Sequence, residues 1–229
     1  ENVEAVTAAV TDTVGVVSAS PAVRTAPTLD AITTALAEAA RDHYEEGTFA
    51  VQARRAGQTE THPFSSSDLE TEGGTAVWQA AEDEGVDPAV DLDDPDLTVY
   101  VECRADDAYV FLEKRDGPGG LPLGTQRPVV ALVSGGIDSP VAAWEMMRRG
   151  CPIVPLYVDL GDYGGPDHRA RAQSTVDALA RYAPNTDLRL HVAPAGEAVD
   201  RIVDSTDDHR MLVLRRFMFR VAAAVADDV

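Results

Sequence analysis

The fold of this chain is decided by the stretch Val129-Val130-Ala131-Leu132-Val133-Ser134-Gly135-Gly136-Ile137-Asp138-Ser139-Pro140. Its first five residues are apolar and mostly β-branched, which predicts a strand. Two glycines then turn the chain, and Pro140 suits the first turn of a helix, where its missing N–H costs little. In a strand, glycine turn and helix of this kind, backbone N–H groups point at an anion such as a phosphate. A turn without any ligand is the alternative.

The loop differs from the two best-known phosphate loops. A Walker A loop needs Gly-Lys-Ser/Thr, and no lysine lies near Ser134–Ser139. The spacing is not Gly-x-Gly-x-x-Gly either. The loop therefore indicates another class of phosphate site.

Strands and helices alternate after residue 127, which predicts a parallel sheet with crossover helices. Right-handed crossovers place the glycine loop at the carboxyl edge of that sheet. The predicted strands are 128–133, 152–158 and 187–192, and the predicted helices are 139–149, 167–182, 196–204 and 209–226.

The first half of the chain has a different pattern, with longer helices and a hairpin. Thr28 or Asp30 is predicted to cap a helix that Gly47 ends, and Ser65 begins another. A segment rich in Gly and Pro, 116–127, is predicted to be a linker. The predicted helices are 1–13, 28–46 and 65–84, and the predicted strands are 14–20, 48–54, 97–103 and 108–113.

Composition limits the class of protein. The 229 residues suffice for two modest domains, and 19 basic against 39 acidic residues give a net charge of −20. Lys114 is the sole lysine, and an acidic chain with so few lysines looks like adaptation to high salt. The Debye length is only about 3 Å in molar salt, so this charge does not exclude RNA as a partner. Cys103 and Cys151 form no metal or disulfide framework, and each is expected to be a small buried residue.

No targeting or membrane signal is evident in the sequence. No run of 18 apolar residues occurs, and the first residues lack the basic region of a signal peptide. We therefore expect a cytoplasmic protein without a membrane partner.

The loop and its surroundings resemble a known family. Ser134–Ser139 resembles the pyrophosphate loop of ATP pyrophosphatases, and Val129–Cys151 is similar to the tRNA 4-thiouridine synthetase family, also called tRNA sulfurtransferases. Phe49–Arg55 and Val90–Asp96 resemble that family's THUMP domain, an RNA-binding module.

The resemblance implies an α/β fold in which an α+β THUMP domain precedes a doubly wound, parallel-sheet ATP-pyrophosphatase domain. The implied domains are a ferredoxin-like remnant at 1–24, THUMP at 25–115, a linker at 116–127 and the ATP-pyrophosphatase domain at 128–229. We expect this last domain to be incomplete at its C-terminus. By itself, the 229-residue chain is expected not to thiolate tRNA.

The activity implied by the resemblance is ATP-dependent thiolation of a uridine in tRNA through an adenylated base. ATP and Mg²⁺ are the implied cofactors, and tRNA and a sulfur donor, either a persulfide-carrying desulfurase or sulfide, are the implied partners. A link to thiamine thiazole synthesis and a homodimer are left open. The alternatives are another ATP pyrophosphatase, such as a tRNA-base or amide-forming ligase, and a non-catalytic RNA-binding protein.

Candidate site residues follow from the loop, the strand ends and the basic pairs. Asp138 would hold the metal or position the nucleophile, and capping of its helix is the alternative. Helix capping also explains Asp167, beside His168, without catalysis. Ordinary strand, surface or ion-pair roles are the alternatives for the other residues. The predicted ATP-binding residues are Leu132, Val133, Ser134, Gly135, Gly136, Asp138, Ser139, Tyr157, Val158, Arg215 and Arg216, and the predicted tRNA contacts are Arg54, Arg55, Lys114 and Arg115.

Overall fold

The computed structural model describes residues 2–56 and 62–228. The chain divides into two compact units. One runs through Glu4 and from Ser20 to Arg115, and the other comprises Ala5–Ala19 and the chain from Asp116 onward.

The elements follow one another in a mixed α/β order. Up to the middle of the chain they are α1 (Val3–Thr11), β1 (Ser18–Ala19), β2 (Val23–Thr25), α2 (Leu29–His43), β3 (Thr48–Arg55), α3 (Ser66–Asp83), β4 (Ala89–Val90), β5 (Leu97–Cys103), β6 (Ala108–Phe111) and β7 (Arg115–Asp116). The remaining elements are β8 (Val129–Leu132), α4 (Asp138–Arg148), β9 (Ile153–Asp159), a 3-10 turn (Gly161–Tyr163), α5 (His168–Ala180), β10 (His191–Pro194), α6 (Gly196–Ser205) and α7 (Arg210–Asp227).

The first unit is a five-stranded sheet in the order β2-β6-β5-β3-β4, with α2 and α3 packed together beside it. β3 pairs in parallel with β4 and β5, whereas β6 pairs antiparallel with β2 and β5. Its core joins Ile32 and Leu36 of α2, Leu69 of α3 and Phe49 and Val99 of the sheet, each at most 1% exposed. The hairpin predicted at 97–103 and 108–113 is confirmed, because Cys103 pairs with Ala108 across its turn.

Both helices of this unit begin where the sequence predicts. The Thr28 hydroxyl accepts a hydrogen bond from the Ala31 N–H, and Ser65 and Asp68 form a reciprocal capping box. The predicted end of α2 at Gly47 is wrong, because the helix ends at His43 and Tyr44 is its C-cap. The Tyr44 hydroxyl donates to the Gly47 carbonyl at 2.6 Å, which fixes the turn into β3.

The strand predicted at 14–20 is wrong over most of its length, since only Ser18–Ala19 is a strand. Val14 instead packs in the core of the second unit, and its N–H donates to the Tyr182 carbonyl. Gly15 then turns the chain with a φ of 94°.

The second unit is a three-stranded parallel sheet in the order β10-β9-β8. Side chains of β9 point to both faces of the sheet. On one face, Ile153 packs in a cluster with Ala143 and Met147 of α4 and Leu179 of α5. On the other side, Leu156 packs in a cluster with side chains of α7. Helices therefore cover both faces, which confirms the parallel sheet predicted from the alternation of elements and the doubly wound class implied by the resemblance.

The predicted strand 187–192 is misplaced, because β10 begins at His191. Leu188 and Leu190 are partly buried against the core, while Asp187 and Arg189 form a surface ion pair. This alternation looks like a strand in the sequence, but residues 187–190 have no ladder partner. The ladder begins four residues later than predicted, at His191, which pairs with Leu156.

Residues 116–127 lie within the second unit. The Leu121 N–H donates to the Arg148 carbonyl, and the N–H groups of Gly124 and Gln126 donate to the Gly150 carbonyl. These bonds attach the segment rich in Gly and Pro to the end of α4, while the boundaries of the three domains and the linker stay a prediction.

Cys103 and Cys151 are both buried free thiols, as expected, and burial raises the pKa of Cys103. Within residues 2–56 and 62–228, no helix combines the length and apolar character needed to cross a membrane.

Candidate nucleotide-binding site

The glycine loop lies between β8 and α4, at the carboxyl edge of the parallel sheet. Its two serines close it: the Ser134 N–H donates to the Ser139 hydroxyl at 2.9 Å, and the two hydroxyl oxygens are 3.2 Å apart. The Gly136 N–H donates to the Ser134 hydroxyl at 3.3 Å. The serines therefore brace an exposed loop whose middle consists of two residues without side chains.

The N-terminus of α4 is open toward solvent. Ile137 is its N-cap residue, makes no side-chain capping bond and is 84% exposed. The first N–H groups of a helix have no acceptor within the helix, so this end carries partial positive charge and free donors. Asp138 is the first helical residue and is exposed. The capping alternative for Asp138 is therefore wrong, since another residue occupies the cap position.

A small cavity of about 110 Å³ adjoins the loop. It brings together six residues that the sequence predicts as ATP contacts, together with Met218 from α7 and His168 from α5. The six are Leu132, Val133, Ser134, Gly135, Tyr157 and Val158.

Tyr157 is the one polar aromatic side chain among those six. It is 6% exposed, and burial raises the pKa of its hydroxyl, with a further contribution from Asp159. Arg169 acts in the opposite direction and lowers that pKa. The phenol is therefore neutral at physiological pH and offers an uncharged wall to the cavity.

The two arginines predicted on α7 do not line this cavity. Arg215 and Arg216 are both exposed, and Arg216 lines a separate concavity of about 550 Å³ between α6 and α7. Met218 is the residue of α7 that reaches the loop cavity. The role of both arginines in ATP binding stays a prediction.

The start of α5 lies against the glycine loop. A Cβ placed on Gly135 would stand 2.9 Å from Arg171 Nε and 3.4 Å from the Cα of His168. Sequence reasoning noted His168 at a helix start and missed Arg171, which is one turn further along. Only the pairing of β8 with β9 brings this turn to the loop, so no local sequence pattern marks it.

Asp167 precedes that helix without capping it through its side chain. Its backbone carbonyl, instead of its carboxylate, accepts the Arg171 N–H at 2.9 Å. The predicted side-chain capping by Asp167 is therefore wrong.

The four predicted tRNA contacts have different environments. Arg54 is exposed, whereas Arg55 donates to the Phe64 carbonyl at 2.7 Å and so holds the chain ahead of α3. The Lys114 amine lies 4.9 Å from the centre of the Tyr100 ring.

Arg115 is held in ion pairs with carboxylates of its own unit. Its guanidinium binds Glu4 with two hydrogen bonds, at 2.6 and 2.7 Å, and also pairs with Glu113. Hydrogen bonding to Glu4, and then to Glu113, raises the pKa of Arg115. The ion-pair alternative therefore describes Arg115 well.

Across the part of the chain that the structure describes, no cluster of three or more His, Cys, Asp or Glu side chains is arranged to hold a metal ion. Asp138 is thus a single carboxylate at the loop. A metal at this position needs further ligands from a bound molecule or water.

Two family models match the chain. The THUMP domain model matches residues 26–113, and the model of the thiamine biosynthesis protein ThiI matches residues 124–229. Each model matches most of one compact unit.

Curated relatives match along nearly the whole chain. A protein of Halobacterium salinarum named "Probable tRNA sulfurtransferase" is 65% identical over 219 residues, which are 96% of this chain and 55% of that protein. A protein of Methanosarcina acetivorans with the same name is 41% identical over 223 residues, covering 96% of this chain and 53% of the relative. The chain therefore spans about half the length of the curated relatives that it matches.

Solved structures share the fold. PH1313 from Pyrococcus horikoshii superposes with a TM-score of 0.70 at 25% identity, covering 88% of this chain and 66% of that one. A 4-thiouridine synthetase in complex with RNA and ATP gives a TM-score of 0.78 at 24% identity, covering 97% of this chain and 57% of that one.

Proposed function

Because this chain belongs to the ThiI family, with a THUMP domain ahead of the ThiI segment, we propose that it serves ATP-dependent thiolation of a uridine in tRNA to 4-thiouridine. One observation carries the proposal: an exposed glycine loop joins a parallel strand to an uncapped helix beside a cavity, in the same chain as a THUMP domain. The names of the curated relatives support it. An amide-forming ligase would not need the THUMP domain.

The residues present fit the phosphates of ATP. Gly136 leaves room for an anion near the backbone, since a Cβ there would meet only Ser134 Oγ at 3.5 Å, and the first N–H groups of α4 are free of any side-chain cap. Leu132, Val133 and Tyr157 would then contact the adenosine in the cavity. Arg215 stays a candidate phosphate contact from α7.

The residues also fit a Mg²⁺ ion shared with ATP. Mg²⁺ usually keeps several waters and is bound through one or two carboxylates plus substrate phosphates. Asp138, an exposed carboxylate beside the loop, supplies one such ligand. When bound, the ion would neutralise negative charge on the phosphates.

The proposed reaction has two steps. The uridine O4 attacks the α-phosphorus of ATP, the bond to the bridging oxygen breaks, and pyrophosphate leaves. Sulfide then attacks C4 of the adenylated uridine, and the C4–O4 bond breaks so that AMP leaves with O4. Where the donor is a persulfide, a thiol first cleaves its S–S bond, which releases sulfide and leaves a disulfide on the donor. In the first step the loop N–H groups bind and orient the pyrophosphate as its charge grows, and Asp138 positions the reactants.

We propose tRNA as the partner of the first unit. Arg54 on β3 and Lys114 are both exposed, so both are available to phosphate oxygens. Arg55 and Arg115 instead hold backbone and carboxylate groups of the unit itself. The sulfur donor, a homodimer, a thiamine link and a cytoplasmic location stay predictions.

The test is a thiolation assay in molar KCl with tRNA, sulfide and ATP. The enzyme in this assay is the full-length protein that includes residues 1–229. We expect ATP-dependent 4-thiouridine, detected by mass spectrometry of digested tRNA. Asp138→Ala should abolish it, whereas Asp187→Ala, which removes a surface carboxylate paired with Arg189, should not. Thiolation that is equal with and without ATP would overturn the proposal.

A further inference from the structure

We propose that Arg171 is a phosphate-binding residue that lets the site distinguish ATP from AMP. The proposal rests on the proposed function, because it assumes that the loop at Ser134–Ser139 holds the phosphates of ATP. Neither the loop motif nor the strand ends identify this residue, since it lies on α5.

The position of Arg171 is fixed by two contacts. Its backbone N–H donates to the Asp167 carbonyl at 2.9 Å, in the first turn of α5. Its side chain lies against Gly135, since Nε would stand 2.9 Å and Cβ 3.4 Å from a Cβ built there. The guanidinium therefore occupies the space beside the loop that a side chain at residue 135 would fill.

Among the described residues, no carboxylate pairs with the charge of Arg171. Within the described ranges, none of the ion pairs at 4.0 Å or less involves Arg171, although Asp167 lies four residues earlier, just before the helix. The chain has a net charge of −20, so carboxylates are abundant, and Arg115 for example pairs with Glu4. A planar guanidinium without a carboxylate, placed beside a phosphate loop, is suited to bind phosphate oxygens through two N–H groups.

The order of groups along the site indicates which phosphates Arg171 meets. The cavity lined by Leu132, Val133 and Tyr157 would take the nucleoside, and the loop leads away from it toward α4. Gly135 itself lines this cavity, so the phosphate of AMP would already lie near Arg171. ATP brings two further phosphates and more negative charge close to the same guanidinium, so Arg171 should contribute more to ATP binding than to AMP binding.

The experiment measures the dissociation constants of ATP and AMP by isothermal titration calorimetry, in protein that contains residues 1–229 and at one fixed KCl concentration. Arg171→Gln should weaken ATP binding about tenfold and AMP binding much less, as expected for loss of a charge-assisted contact. Arg171→Lys should restore part of the preference for ATP. Arg181→Gln, at the far end of α5, removes the same charge and should leave both constants unchanged.

The possible negative results distinguish a failure of the proposed function from a failure of the role proposed for Arg171. Wild-type protein that binds neither nucleotide would overturn the proposed function, and the role of Arg171 with it. Wild-type protein that prefers ATP, with an unchanged ATP-to-AMP ratio in Arg171→Gln, would overturn the role of Arg171 alone. An equal loss of both nucleotides, accompanied by a lower unfolding temperature, would assign Arg171 a structural role and also overturn the proposal.

Discussion

Two adjacent glycines in α3 offer a matched test of how the first unit is packed. Gly73 and Gly74 both lie inside this helix, so replacing either by alanine gives the same gain in helix propensity. Their surroundings differ. A Cβ on Gly73 would stand 2.7 Å from Leu36 Cδ1 and 3.3 Å from Val51 Cγ1, whereas a Cβ on Gly74 has no neighbour within 4 Å.

The expected magnitudes follow from these distances. Gly74→Ala should stabilise the unit by about 0.5–1 kcal/mol, through helix propensity and the reduced entropy of the unfolded chain. Gly73→Ala gains the same amount but overpacks the contact between α2 and α3, at a cost of about 1–3 kcal/mol. Leu36 is fully buried, so its side chain has little room to move away. The two variants should therefore differ by about 1–3 kcal/mol, with Gly73→Ala the less stable.

Differential scanning calorimetry in molar KCl measures this difference. We expect the first unit to unfold above the wild-type temperature in Gly74→Ala and at or below it in Gly73→Ala. Because the propensity gain is common to both, their difference reports the packing of α2 on α3. A Gly73→Ala protein as stable as Gly74→Ala would refute the close approach of the two helices.

Three further predictions concern the first unit. Ser65→Ala removes the acceptor of the Asp68 N–H and should lower stability by about 1 kcal/mol, with Ser67→Ala as the control, both measured by thermal unfolding. Hydrogen bonds from the Thr48 N–H and hydroxyl hold the pKa of Asp96 below its ordinary value. The stability that the Asp96 carboxylate contributes should therefore be present above about pH 3.9 and be lost as the pH falls through the lower pKa of the folded state. Asp96→Asn should remove this pH dependence from acid unfolding curves. Arg54→Glu should weaken tRNA binding in a filter assay without changing ATP affinity, and unchanged tRNA affinity would remove Arg54 from the interface.

The sequence predicted best what depends on neighbouring residues. Thr28 and Ser65 cap helices through side-chain bonds to residues three positions on, and the hairpin of β5 and β6 is closed by a short turn. The strand, glycine loop and helix were predicted for the same reason. In each case the interacting residues lie within a few positions of one another, so the local sequence is sufficient to predict the structure.

Features that depend on distant pairing were missed or misplaced. Residues 187–190 alternate like a strand, but the ladder to β9 begins at His191. β2 and β4 are too short to be recognised without β6 and β3, with which they pair. Arg171 contacts Gly135 because β9 pairs with β8 and so places the start of α5 beside the glycine loop. The two residues are 36 positions apart, so no local sequence pattern predicts the contact.

The surroundings of the basic residues could not be predicted from the sequence either. Arg54 and Arg55 look alike in the sequence, yet one is exposed and the other donates to the Phe64 carbonyl. Arg115 meets Glu4, which is more than a hundred residues away in the chain. Whether a basic residue is free to bind RNA is thus decided by tertiary contacts.

The most direct test of the account is the source of the oxygen in the AMP that is released. If the uridine O4 attacks the α-phosphorus, that oxygen leaves with AMP when sulfur replaces it. Thiolation run in ¹⁸O-labelled water, with unlabelled tRNA and ATP, should therefore give pyrophosphate and AMP without ¹⁸O in the AMP phosphate. AMP that carries ¹⁸O in step with thiolation would show that water attacks ATP, and would contradict adenylation of the uridine at the glycine loop.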